Sequence, residues 1–130
     1  MARILLVDDE PYIQALYGDI LVRAGHDVVD TAYNGEEAVL KYELADPKPE
    51  LVLMDHRMPI KNGLDATREI RQLDPSAVVL FVSADQTVRE KVASVGAAGF
   101  IEKPFNLVTL LETIEALVAA AKLAQPPAPG

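Results

Sequence analysis

Residues 3–11 read Arg3-Ile4-Leu5-Leu6-Val7-Asp8-Asp9-Glu10-Pro11. The apolar run is too short for a typical helix, and it is closed by carboxylates and then by a proline suited to a helix's first turn. Its apolar character is continuous rather than alternating, as in a strand covered on both faces. Similar short runs return at residues 27–31, 51–54, 78–82 and 99–101. Between them lie segments with helical spacing: Ile13, Leu16, Tyr17, Ile20 and Leu21; Ala38, Val39 and Tyr42; Ala66, Ile70 and Leu73; Val88, Val92 and Val95; and Leu107, Leu110, Leu111, Ile114, Leu117 and Val118. Five strands alternating with five helices predict an α/β fold, with right-handed crossovers and a parallel sheet flanked by helices.

Local signals support those boundaries. Gly25 suits the position just past a helix end, and Asn34 with Glu37 has the spacing of a capping box. Asp85 and Asn106 stand where the fourth and fifth helices need caps. Pro47 and Pro49 close the second helical segment, and Pro75 closes the third. Residues 124–130 hold three of the nine prolines and are expected to form a tail or linker, leaving a domain over residues 1–123.

The chain has 130 residues, 50% of them hydrophobic, which fits one domain with a core of its own. It has no cysteine, so disulfides and thiolate metal sites are excluded. With 20 acidic against 12 basic side chains the net charge is -8, which argues against direct nucleic-acid binding. No apolar run approaches the ~20 residues of a membrane span, and the charged start does not resemble a signal peptide. A cytoplasmic location is the expectation.

In a parallel α/β sheet, ligands bind outside the carboxyl ends of the strands. There this sequence places Asp8, Asp9 and Glu10 after the first strand, Asp55 after the third, Ser83 after the fourth, and Lys103 and Pro104 after the fifth. Taken singly, each has an ordinary reading as a cap, a turn residue or a solvated charge. Gathered at one point, carboxylates ~4 Å apart repel by about 4 kcal/mol per pair at an effective dielectric near 20. An all-oxygen site with open positions offsets that repulsion with Mg2+ in preference to a softer metal. Mg2+, a carboxylate nucleophile, a hydroxyl and a lysine together suit phosphoryl transfer onto the carboxylate.

Four blocks carry a family resemblance: Val7-Asp8-Asp9-Glu10, the run from Leu53 to Gly63 with Asp55 at its third place, Val82-Ser83-Ala84, and Glu102-Lys103-Pro104-Phe105. Together they closely resemble the receiver domain of two-component response regulators, in order and at its spacing, over residues 3 to about 122. The resemblance implies a flavodoxin-like, doubly wound (βα)5 fold with strand order 2-1-3-4-5. It implies that Asp55 accepts a phosphoryl group from a histidine kinase or histidine phosphotransfer protein. Asp8, Asp9, Asp55 and the backbone carbonyl of Arg57 would hold Mg2+. Ser83 would be the switch hydroxyl, Lys103 the lysine that pairs with the phosphoryl group and Phe100 the switch aromatic.

Ser83 stands where threonine is commoner in that family, and Phe100 where tyrosine is. The Lys103-Pro104 bond is expected to be cis, and Arg57 is expected to reach across the mouth of the pocket to Asp85 or to the bound phosphoryl oxygens. His26 and His56 read as incidental.

The expected function is a phosphorylation-controlled signalling switch acting through the fourth helix, fifth strand and fifth helix. The expected recipients of the signal are a target protein, a fused output domain or a second copy in a phosphorylation-dependent homodimer. One rival is a Mg2+-dependent phosphohydrolase with Asp55 as its nucleophile, which needs an acid at position 57, where Arg57 stands. The other is a flavin protein, which needs a phosphate-binding loop where Asp8, Asp9 and Glu10 would repel an anion.

Overall fold

The computed structural model describes residues 2–124. Its strands are β1 (Arg3–Val7), β2 (Asp27–Ala32), β3 (Leu51–Asp55), β4 (Val79–Ser83) and β5 (Gly99–Glu102). Its helices are α1 (Pro11–Arg23), α2 (Gly35–Leu44), α3 (Gly63–Leu73), α4 (Gln86–Val92) and α5 (Leu107–Ala124), with a 3-10 turn at Ala93–Val95. The strands form one parallel sheet in the order β2-β1-β3-β4-β5. The flavodoxin-like α/β fold expected from the sequence is the one observed.

Alternate residues of the three central strands β1, β3 and β4 feed two separate cores, which is why those strands read as continuous apolar runs. Leu5, Val7, Val52, Met54, Val79 and Phe81 pack with Tyr42 of α2, Ile70 of α3 and Val88 of α4. Ile4, Leu6, Leu51, Leu53, Leu80 and Val82 pack with Leu21 of α1 and Leu110 and Ile114 of α5. Each fully buried large side chain contributes about 1.5–3 kcal/mol of transfer free energy.

Asn34, Asn62, Asp85 and Asn106 each accept a hydrogen bond from a backbone N–H in the helix they precede, at 2.7–3.0 Å. Pro11 occupies the first turn of α1, and Gly25 has φ +92° just beyond it. The Lys103-Pro104 peptide is cis, as is Asp46-Pro47.

Several boundaries differ informatively from the sequence reading. β3, β4 and β5 each run one residue further, so that Asp55, Ser83 and Glu102 are the last ladder residues rather than the first loop residues. The fourth helical segment is a seven-residue helix followed by a 3-10 turn. Ala124 is helical, one residue past the expected domain boundary, and the rest of the proline-rich tail lies outside the described residues. His26, read as incidental, is buried, and its Nδ1 accepts the Ala2 N–H at 3.1 Å, tying the start of β1 to the turn before β2.

Candidate functional site

Four neighbouring strands, β1, β3, β4 and β5, deliver the polar residues to one edge of the sheet. One carboxylate oxygen from each of Asp8, Asp9 and Asp55 lies within 4.8 Å of the others. Lys103 Nζ stands 3.7 Å from Asp55 Oδ1 and 3.9 Å from Asp8 Oδ2. Ser83 Oγ, on the adjacent strand, accepts the Asp85 N–H at 3.1 Å. Asp9, Asp55, Ser83 and Lys103 line a single open depression of about 370 Å3, with Arg57 and Asp85 on its rim.

Backbone constraints set this geometry. Asp8 Oδ1 accepts the Glu10 N–H at 2.9 Å, turning the chain from β1 into α1. Gln14, buried on α1, donates its side-chain amide to the carbonyls of Asp8 and Ala32 at 2.8 and 2.6 Å, binding the ends of β1 and β2 together. The loop between β3 and α3 is gripped at both ends. Gly63 donates its N–H to the His56 carbonyl at 3.0 Å, and a Cβ there would overlap the Asp55 carbonyl oxygen and come within 2.8 Å of Phe81 Cζ. Gly35 donates to the Lys61 carbonyl at 2.9 Å, and a Cβ on it would overlap that same oxygen. At the loop's tip Lys61 N–H bonds the Pro59 carbonyl at 2.7 Å around Ile60, whose φ is +72° although it is β-branched and exposed. This is the geometry of a γ-turn, a rare conformation for such a residue.

Asp8 and Asp55 are held away from their usual acidity. Burial raises the Asp8 pKa to about 6; the Glu10 N–H opposes that rise and the Asp55 charge adds to it. Burial also raises Asp55, while Lys103 and the His56 N–H pull it back. An aspartate with a raised folded-state pKa binds more protons folded than unfolded, so metal-free stability falls as pH rises from about 4 through about 6. Asp8→Asn keeps the acceptor for Glu10 and removes the charge. It is therefore expected to stabilise the metal-free protein at pH 7 by about 1–2 kcal/mol, after allowance for solvent screening, and to flatten this pH dependence. Urea unfolding in chelator between pH 4 and 8 checks this, and a variant no more stable than the parent at pH 7 contradicts it.

Three clustered carboxylates with only one ammonium nearby are a donor set that fits a hard divalent cation. His56 is not part of it: its ring lies 6.0 Å from that of Phe81, with a buried Nδ1. Arg57 does reach Asp85, at 3.6 Å, while the other Asp85 oxygen caps α4. Phe100 is half-buried beneath Arg89, whose guanidinium carbon is 5.8 Å from the ring centroid. The sequence reading gave no structural role to Gln14, Gly35 or Gly63. A glutamine inside an amphipathic helix and a glycine at the start of one carry little signal until their cross-chain contacts are visible.

Comparison with known proteins agrees with this site. Residues 4–115 match the model of the response regulator receiver domain. The chain is 40% identical over 114 residues to the chemotaxis protein CheY of Thermotoga maritima, covering 86% of this chain and 93% of that protein. A structure of the response regulator TrrA from Thermotoga maritima, in complex with Mg2+ and BeF, superposes with a TM-score of 0.81 at 37% identity, covering 90% of this chain and 99% of the other. CheY in the CheX–CheY–BeF3–Mg2+ complex from Borrelia burgdorferi gives 0.83 at 30% identity, covering 88% and 87%.

The family match makes this a receiver domain, a class of signalling domain rather than a classical enzyme. The chain belongs to the response regulator receiver domain family. Among the described residues, no helix is long and apolar enough to cross a membrane.

Proposed function

We propose that this domain is a phosphorylation-controlled switch that accepts a phosphoryl group on Asp55 from a phosphohistidine of a histidine kinase or phosphotransfer protein. The observation carrying this reading is the convergence of Asp9, Asp55, Ser83 and Lys103 on one depression at the sheet edge, with the buried Asp8 carboxylate clustered against Asp9, Asp55 and Lys103.

In the transfer an Asp55 carboxylate oxygen attacks phosphorus, the P–N bond breaks, and its electron pair stays on the imidazole, which takes up a proton. Asp8, Asp9 and Asp55, with the Arg57 carbonyl, would hold Mg2+, which would neutralise charge on the transferring oxygens. Lys103 orients toward Asp55 and supplies a fixed positive charge beside the new acyl phosphate. The added charge of about -1.5 to -2 attracts the Ser83 hydroxyl away from Asp85 N–H, and that movement is the signal. Phe100 and the face formed by α4, β5 and α5 transmit it to a target protein, a fused output domain or a second copy. Cytoplasmic residence and a tail or linker role for residues 125–130 complete the reading.

The test is incubation with acetyl phosphate and Mg2+ followed by intact-mass spectrometry. One phosphoryl adduct is expected, and an unmodified mass contradicts the reading. A phosphohydrolase is disfavoured by Arg57, which stands where that chemistry needs an acid.

Arg57 and Asp85 bridge the rim through which water reaches the acyl phosphate. Exposed pairs contribute only about 0–1 kcal/mol to stability, so their effect is expected on phosphoryl decay instead. Arg57→Ala and Asp85→Ala should each change the decay rate by about two- to fivefold, with a non-additive double mutant. Strictly additive or absent changes contradict a shared role.

A further inference from the structure

We infer that Glu102 is a latch holding α4 and Phe100 in the resting arrangement, so that this chain sets its own threshold for switching; the inference rests on the phosphorylation reading above. Glu102 ends β5 and pairs with Ser83 in the sheet ladder. Its Oε1 accepts the Gln86 side-chain amide at 2.6 Å, and its Oε2 lies 3.7 Å from Arg89 Nη1. Gln86 is the first residue of α4, and Arg89 follows one turn later with its guanidinium above Phe100. One carboxylate thus ties the first turn of α4 to the strand beside the site and positions Arg89 over Phe100.

The helix it restrains is a weak one. α4 has seven residues, and its cap residue Asp85 is tethered through its own N–H to Ser83 Oγ. When Ser83 turns toward a phosphoryl group that tether is released, and the contacts of Glu102 then oppose the departure of α4. The contacts are solvent-exposed, which suits a restraint that must open: it biases the two states without locking either.

Simple electrostatics and the latch predict opposite signs, which makes the idea testable. Arg89→Gln removes a positive charge near an anion site. Long-range attraction alone would then weaken binding of an anion, whereas loss of the latch strengthens it by making the active arrangement easier to reach. Gln86→Ala removes the other contact with no change of charge. Both positions are exposed, and melting curves are the check that the variants fold.

Affinity for beryllofluoride with saturating Mg2+ is measured by calorimetry, and amide hydrogen exchange in α4 is measured without metal. Both variants are expected to bind about three- to fivefold more tightly, consistent with exposed contacts of this kind, and to exchange faster in α4. Any other combination overturns the latch. If the parent protein itself binds no beryllofluoride, the phosphorylation reading falls and the latch falls with it; if the parent binds and the variants do not bind more tightly, the latch alone is overturned.

Discussion

Asp55→Asn is expected to take up no phosphoryl group from acetyl phosphate and Mg2+, under conditions in which the parent protein gains one. The amide has no anionic oxygen to attack phosphorus, and Asp8 and Asp9 cannot substitute for it. Asp8 is buried, with one oxygen committed to the Glu10 N–H and the other beside Lys103. Asp9 is exposed and lies off the strand that carries Asp55. Removing a charge from a crowded cluster should leave the variant folded and at least as stable as the parent. Lost labelling with a preserved melting transition therefore isolates chemistry from folding. Equal labelling of parent and variant would overturn Asp55 as the acceptor.

Gly63→Ala is expected to be the most damaging conservative change in the loop beneath the site. The new methyl would occupy space filled by the Asp55 carbonyl and the tip of Phe81, and neither can retreat without disturbing the ladder between β3 and β4. A loss of about 3 kcal/mol or more, lowering the melting temperature by roughly 10 °C, is expected from overpacking of this kind. Gly18 in α1 supplies the control, since a Cβ there meets nothing within 4 Å. Gly18→Ala should stabilise by about 0.5–1 kcal/mol through helix propensity. Parallel denaturant titrations check both directions, and a Gly63→Ala protein as stable as its parent would contradict the packing argument.

The sheet and the site were legible in the sequence because both depend on local order. Strands buried on two faces announce themselves as short apolar runs, and a parallel sheet puts whatever follows them at one edge. Asp8, Asp9, Asp55, Ser83 and Lys103 could therefore be grouped without coordinates. Asp55 and Ser83 were placed one residue beyond the strands because they are polar, whereas backbone pairing extends through them whatever their side chains. Through-space contacts were not legible. Gln14 bridges two strand ends, His26 accepts a bond from a residue 24 positions away, and Glu102 reaches back 16 positions to Gln86. No periodic pattern encodes such pairings. The Arg57–Asp85 contact could be anticipated only because adjacent strands fix where both loops begin.

The loop from His56 to Asn62 also divides sharply in its tolerance for sequence drift. Its ends are fixed by close backbone approaches at Gly35 and Gly63, where even one added carbon has no room. Its tip carries a branched side chain in a left-handed conformation that glycine or asparagine would adopt more easily, and that side chain is open to solvent. Natural variation should therefore accumulate at position 60 and be purged at 35 and 63. A lineage could retune the surface around its signalling centre through that one position while the carboxylates beneath it stay where the chemistry needs them.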